Sequence, residues 1–169
     1  MLRVGLIGLG VMGANHARIL ASLDGVEFVG IADPARVGQV LSGVEVHADY
    51  MSLVSRDLDY AIVATPTALH LEVGLTLVDK EIHALIEKPL APTVRDSQTL
   101  VTAFAEAGLI GAVGHVERYN PSLQEARRRI ARGDLGRVLQ VATRRQGPFP
   151  DRIADVGVVM DLATHDIDL

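Results

Sequence analysis

The sequence predicts an α/β fold built on a doubly wound parallel sheet and followed by the start of a second α/β domain. Three observations carry this reading. Short apolar runs bounded by turn residues alternate with longer amphipathic segments. Apolar residues make up 49% of the 169 residues, aromatics only 4%, and Trp is absent. The core therefore rests on Val, Leu, Ile and Ala, as in parallel strands covered on both faces. Finally, Gly8-Leu9-Gly10-Val11-Met12-Gly13 joins the first apolar run to the first helical segment.

The spacing predicts strands at Arg3–Ile7, Glu27–Ala32, Val44–His47, Tyr60–Ala64, His83–Glu87 and Ile110–Gly114. It predicts helices at Ala14–Leu23, Ala35–Leu41, Tyr50–Ser55, Ala68–Lys80 and Val94–Ala107. Thr93 with Asp96 resembles a capping box, and Gly108 stands where a helix C-cap belongs. The character of the chain changes near Arg118, which divides it into a domain at 1–118 and the beginning of a second at 119–169. In the second domain, Asn120-Pro121 reads as an N-cap and first helical residue, opening a helix over Ser122–Arg132. Val138–Thr143 reads as a strand, Gly147–Pro150 as loop, and Val158–Leu169 as a helix without a stop signal. The second domain is expected to be incomplete in this chain.

The glycine run is the most informative motif. Gly8 permits a tight turn, Gly10 lets backbone approach a pyrophosphate, and Gly13 lets the helix pack on the strand. The amides of Val11, Met12 and Gly13 then face the phosphates at a helix N-terminus. Asp33 stands twenty positions after Gly13, at the end of the second apolar run. Its carboxylate would accept hydrogen bonds from an adenosine ribose and repel a 2′-phosphate, which favours NAD over NADP. Arg36 softens that preference. Together these features define a Rossmann domain.

The formal net charge of -5 argues against nucleic acid as the main partner. Arg127, Arg128, Arg129 and Arg132 read as a solvated helix face. The absence of cysteine excludes disulfides, thiolate catalysis and Cys-ligated zinc, and is compatible with the cytoplasm. The glycines between Gly5 and Gly13 fit a nucleotide turn better than a signal peptide. No run approaches the ~18 apolar residues that a membrane helix needs.

Further strand ends carry chemistry. Thr65 and Pro66 follow the Tyr60–Ala64 strand, which places them near a dinucleotide. Glu87-Lys88-Pro89 follows the next strand, and a lysine at the mouth of an apolar cleft is a candidate proton acceptor or relay. Asp161 and His165 lie one helical turn apart, so the carboxylate could orient the imidazole. Asp161, Asp166 and Asp168 with His165 could form a metal site, but no further cluster completes a shell, and the reading is no metal. His115, Tyr119 and Asn120 lie where a cleft between domains would open and are candidate substrate contacts.

These motifs, with Ala32-Asp33-Pro34, His70, Gly114-His115 and Asp168, resemble in order the glucose-fructose oxidoreductase / inositol dehydrogenase / rhizopine catabolism (Gfo/Idh/MocA) family. The resemblance implies NAD(P)-dependent hydride transfer between a sugar, nucleotide-sugar or cyclitol hydroxyl and nicotinamide. It puts Lys88, Asp161 and His165 on catalytic positions, and either Lys88 or His165 takes the hydroxyl proton. It implies that the parent protein forms a homo-oligomer. Gly114–Pro121, Gly147–Arg152 and Asp161–His165 resemble UDP-N-acetylglucosamine 3-dehydrogenase members, which adds Arg152 to the substrate contacts. Two other classes keep a similar first domain: a non-catalytic NAD-binding, redox-sensing module, and a reductase of a non-sugar substrate. A sensor needs neither Lys88 nor His165, and such a reductase does not need the Asp161/His165 pair.

Overall fold

The computed structural model describes residues 1–144, 157 and 159–168. The chain divides into two compact units, Met1–Gly114 and His115–Leu169.

The first unit runs β1 (Leu2–Ile7), α1 (Val11–Leu20), β2 (Val26–Ala32), β3 (Val40–Leu41), β4 (Val44–His47), α2 (Tyr50–Val54) and β5 (Tyr60–Val63). It continues with α3 (His70–Asp79), β6 (His83–Ile86), α4 (Val94–Glu106) and β7 (Gly111–Val113). The strands form one sheet in the order β3-β4-β2-β1-β5-β6-β7. Every neighbouring pair is parallel except β3 with β4. The chain winds outward from β1 in both directions, so the strand order reverses between β1 and β5, where α/β sheets bind ligands.

Side-chain alternation along the strands feeds two cores. Val4 and Leu6 of β1 join Ile31 and Val46 beneath Ala17 and Leu20 of α1. Ile7 points the other way, into a cluster with Leu53 of α2, Val73 and Leu77 of α3, and Leu100 and Phe104 of α4. Both faces are covered, which is why these strands read as apolar runs. Each such buried aliphatic side chain contributes roughly 1.5–3 kcal/mol relative to exposure. Thr93 caps α4 as expected, accepting from the Asp96 amide at 3.1 Å and donating to the Asp96 carboxylate at 2.7 Å.

The structure corrects several expected elements. Helix α1 begins at Val11 rather than Ala14, because Gly10 takes the extended N-cap conformation itself. No helix forms over 35–41. The segment turns into the β3–β4 hairpin, whose two-residue loop carries positive φ at Ser42 (53°) and Gly43 (80°). That pair of conformations matches the twist of a tight hairpin and cannot belong to a helix. The strand expected at Val138–Thr143 is absent as well. A strand needs a neighbour for its backbone groups, and no strand follows Val113 among the described residues.

The second unit contains a 3-10 turn at Val116–Tyr119, α5 (Pro121–Ala131), a π-type turn at Val159–Ala163 and α6 (Thr164–Ile167). Of the helix expected over 158–169, residues 159–167 are helical in two short pieces, and Val158 and Leu169 lie outside the described residues. Asn120 caps α5, accepting from the Ser122 amide at 3.0 Å, with Pro121 in the first turn. Arg128, Arg129 and Arg132 are exposed and gather around Glu125. No helix among the described residues is long and apolar enough to cross a membrane.

Candidate functional site

Five loops leave the same edge of the first unit's sheet. Gly8 follows β1, Asp33 follows β2, Thr65 follows β5, Glu87 follows β6 and Gly114 follows β7. Parallel register brings these C-terminal ends together, so the residues singled out in this part of the sequence share one edge.

The glycine turn is set by backbone contacts. Gly8 has φ +95°, and a Cβ there would lie 2.5 Å from the Ala64 carbonyl oxygen. A Cβ on Gly13 would lie 2.1 Å from the Gly8 carbonyl oxygen. Gly10 differs, since a Cβ there would meet nothing within 4 Å. Two of the glycines serve the fold of the turn, and the third opens onto free space. Helix α1 has no side-chain cap and no acidic residue in its first turn. The amides of Val11, Met12 and Gly13 therefore form an uncapped, electropositive end.

Asp33 does more than the sequence indicates. Its Oδ2 accepts from the Leu9 amide at 2.7 Å, and its Oδ1 accepts from the Ala35 amide at 2.9 Å. The carboxylate ties the end of β2 to the glycine turn, and a lone pair on each oxygen remains for other donors.

His70 connects the next two loops. It is 1% exposed. Its Nε2 lies 3.0 Å from the Thr65 carbonyl oxygen and its Nδ1 lies 3.0 Å from the Pro89 carbonyl oxygen. Carbonyl oxygens only accept, so the neutral ring donates to one of them and the cationic ring to both. Glu87 is buried, and its Oε1 accepts from His16 Nε2 at 2.8 Å. Its Oε2 accepts from the Lys88 amide at 3.2 Å. A Cβ on Gly114 would sit 2.9 Å from this carboxylate, which explains glycine at the end of β7. Lys88 is half-buried and precedes Pro89 through a cis peptide bond.

In the second unit, His115 precedes the 3-10 turn, and its Nδ1 is 3.6 Å from the Asp168 carboxylate. Arg118 donates to the same carboxylate, with Nε 2.7 Å from Oδ2. This guanidinium hydrogen bond holds the Asp168 carboxyl below the usual carboxylate range, with the His115 charge acting in the same direction, and Asp168 in turn pushes the Arg118 guanidinium up. Tyr119 is exposed. The Asn120 amide is engaged on both sides, by its cap and by donating to Glu117 at 2.9 Å. His165 is half-buried in α6. The Asp161 backbone lies in the π-type turn, its side chain lies outside those described, and Arg152 lies outside the described residues. No group of three or more His, Cys, Asp or Glu able to hold a metal occurs among the described residues.

The first unit fits a dinucleotide on its own geometry. Gly10 leaves the cradle open, α1 presents uncapped amides, and the Thr65 hydroxyl is buried with no hydrogen-bond partner among the described residues. Fold and cradle together define a Rossmann dinucleotide-binding domain. The chain belongs to the Gfo/Idh/MocA family, described as an oxidoreductase family with an NAD-binding Rossmann fold, which it matches over residues 2–115. It is 32% identical to inositol 2-dehydrogenase 4 of Saccharopolyspora erythraea, covering 99% of this chain and 52% of that protein. It is 29% identical to UDP-N-acetylglucosamine 3-dehydrogenase of Acidithiobacillus ferrooxidans, covering 99% of this chain and 53% of that protein. The solved structure of YvaA from Bacillus subtilis superposes with a TM-score of 0.86 at 27% identity, over 99% of this chain and 51% of that one. The chain thus spans about half the length of the relatives it matches.

Sequence reasoning missed three contacts that organise these sites: His16 with Glu87, Asp33 with the Leu9 amide, and Arg118 with Asp168. A carboxylate at the end of a buried strand does signal a need for a partner.

Proposed function

We propose that the protein to which this chain belongs is an NAD-dependent oxidoreductase acting on a hydroxyl of a sugar, nucleotide sugar or cyclitol. The observation that carries the reading is the half-buried Lys88, which leaves the same sheet edge as the open glycine cradle. The names of the inositol and UDP-N-acetylglucosamine relatives support the substrate class. Bound NAD supplies a hydride acceptor. The chain's own residues bind and orient it. The α1 amides and Gly10 take the pyrophosphate, and the remaining lone pairs of Asp33 take the ribose hydroxyls and disfavour a 2′-phosphate. Thr65 and Pro66 line the same loop edge, and Glu87 supports it from inside. Lys88 and His165 are the proposed proton-transfer groups, with Asp161 orienting His165. His115, Tyr119, Asn120 and Arg152 are the proposed substrate contacts. The reading extends to a homo-oligomer by family resemblance, which light scattering on the full-length protein tests, and to the cytoplasm, with which the absence of cysteine is compatible.

The decisive experiment is steady-state kinetics on the full-length protein. Lys88→Ala and His165→Ala should each lower kcat by roughly 10²–10⁴-fold, the scale for losing a positioned acid or base. NAD affinity should change little, and Asp161→Asn should cost less than either. Near-normal kcat in both single variants would overturn the roles given to Lys88 and His165, and cofactor binding without turnover by the unmodified protein would favour an NAD-binding module without catalysis.

A further inference from the structure

The Glu87-Lys88-Pro89 turn is gripped from two sides by histidines to which the proposed reaction gives no part. On one side stands His16, one turn beyond Gly13 in α1. Its ring lies 2.8 Å from Glu87, with the two side chains only 14% and 7% exposed. The same carboxylate holds the Lys88 amide and fills the space that Gly114 leaves open. On the other side stands His70, which bridges the carbonyls of Pro89 and Thr65.

Each histidine thus links the lysine turn to a different cofactor loop. His16 links it to the helix of the glycine cradle, and His70 links it to the loop after β5. Burying an imidazole and a carboxylate costs desolvation, and apolar residues of similar volume often stabilise a fold as well or better. Packing alone does not call for polar groups here, whereas fixed geometry does.

We propose that His16 and His70 are positioning residues that set Lys88 relative to the dinucleotide cradle, His16 through Glu87 and His70 through the Pro89 carbonyl. The inference rests on the proton-transfer role proposed for Lys88. Rate is steeply sensitive to such placement, since a shift of about 1 Å can cost on the order of 10²-fold.

Two measurements test it. In the full-length protein, with NAD and either myo-inositol or UDP-N-acetylglucosamine as probe, His16→Ala and His70→Ala should each lower kcat. The expected loss is on the order of 10- to 100-fold, with the KM for NAD shifting less than about threefold. His16→Gln keeps an N–H donor for Glu87 and should recover most of the rate. The second measurement needs no turnover. The sequence holds two lysines, Lys80 and Lys88, so reductive ¹³C-methylation of this chain yields one side-chain NMR signal from each. The Lys88 signal should move in both alanine variants while Lys80 stays fixed, and a general loss of fold would move both. An unmoved Lys88 signal in folded variants overturns the inference, as does unchanged kcat in the histidine variants when Lys88→Ala abolishes turnover. If Lys88→Ala itself keeps the rate, the proposed function fails separately, and a moved Lys88 signal still shows that the histidines place the lysine.

Discussion

Residues 2–114 and the described residues from 115 onward hold polar groups in different ways. In the first unit, partners come from distant parts of the chain and meet at one buried sheet edge. His16 and Glu87 are 71 residues apart, Leu9 and Asp33 are 24 apart, and His70 and Pro89 are 19 apart. In the second unit no described residue is fully buried. The Arg118–Asp168 link spans 50 residues, yet the arginine is 54% exposed. Leu139 (82%) and Ile167 (79%) stand open to solvent. Buried contacts between backbones leave no room to relax, whereas an exposed ion pair adapts and is screened by salt. The first unit should therefore respond sharply to single atoms, and the second should respond to conditions.

The largest expected effect is at Gly13. An alanine Cβ would meet the Gly8 carbonyl oxygen at 2.1 Å, and this backbone group cannot swing aside as a flexible side chain would. Gly13→Ala should cost on the order of 3 kcal/mol and abolish NAD binding. Gly10→Ala supplies the contrast, because its Cβ meets nothing within 4 Å. Its melting temperature should stay near the parent's while NAD affinity falls. Thermal melts with calorimetric titration read both. A Gly13→Ala protein that melts like the parent would show that the turn is not so tightly constrained.

A smaller effect is expected at Asp33. Its carboxylate discriminates between cofactors in the proposed function and also holds the Leu9 and Ala35 amides. Asp33→Ala should narrow the preference for NAD over NADP and weaken both, because it frees a part-buried amide at a cost of about 1–3 kcal/mol. Asp33→Asn keeps a carbonyl acceptor and should narrow the preference with less loss. Titration of each variant with both cofactors decides, and tighter NADP binding to the unmodified protein would refute the assignment.

The same contrast explains what could be read in the sequence. The strands of the first unit and its glycine cradle are local signals, because parallel strands covered on both faces are written as apolar runs. The Val44–His47 strand is legible, but its hairpin partner Val40–Leu41 is not, because the deciding feature is the conformation of Ser42 and Gly43, while Ala35–Leu41 alone suit a helix. The sites were legible as strand ends but not as pairs. Nothing near Glu87 in sequence names His16, and nothing near Arg118 names Asp168, since only the folded sheet or the turns of the second unit bring them together. Sequence pattern also suggests a strand at Val138–Thr143, where no neighbouring strand exists among the described residues to pair with it.

The smallest expected effect, and the one that best sharpens the contrast, is the acid response of the second unit. Arg118 hydrogen-bonds Asp168 and lowers its carboxyl pKa in the folded protein. The link therefore contributes fully above the ordinary carboxylate value of about 3.9, and is lost as pH falls below it through the lowered folded value. Down to about pH 4 the Arg118–Asp168 link between the Val116–Tyr119 turn and the end of α6 should hold. Below that, their amide signals should move together with the Asp168 side-chain ¹³C carboxyl signal. High salt should weaken the link at every pH. Asp168→Asn should remove the acid-dependent change at these positions while the β1, β5 and β6 amides of the first unit behave as in the parent. A carboxyl midpoint at or above the ordinary value would mean that Arg118 does not hold Asp168 in solution, and the two short elements of the second unit would then need another tie.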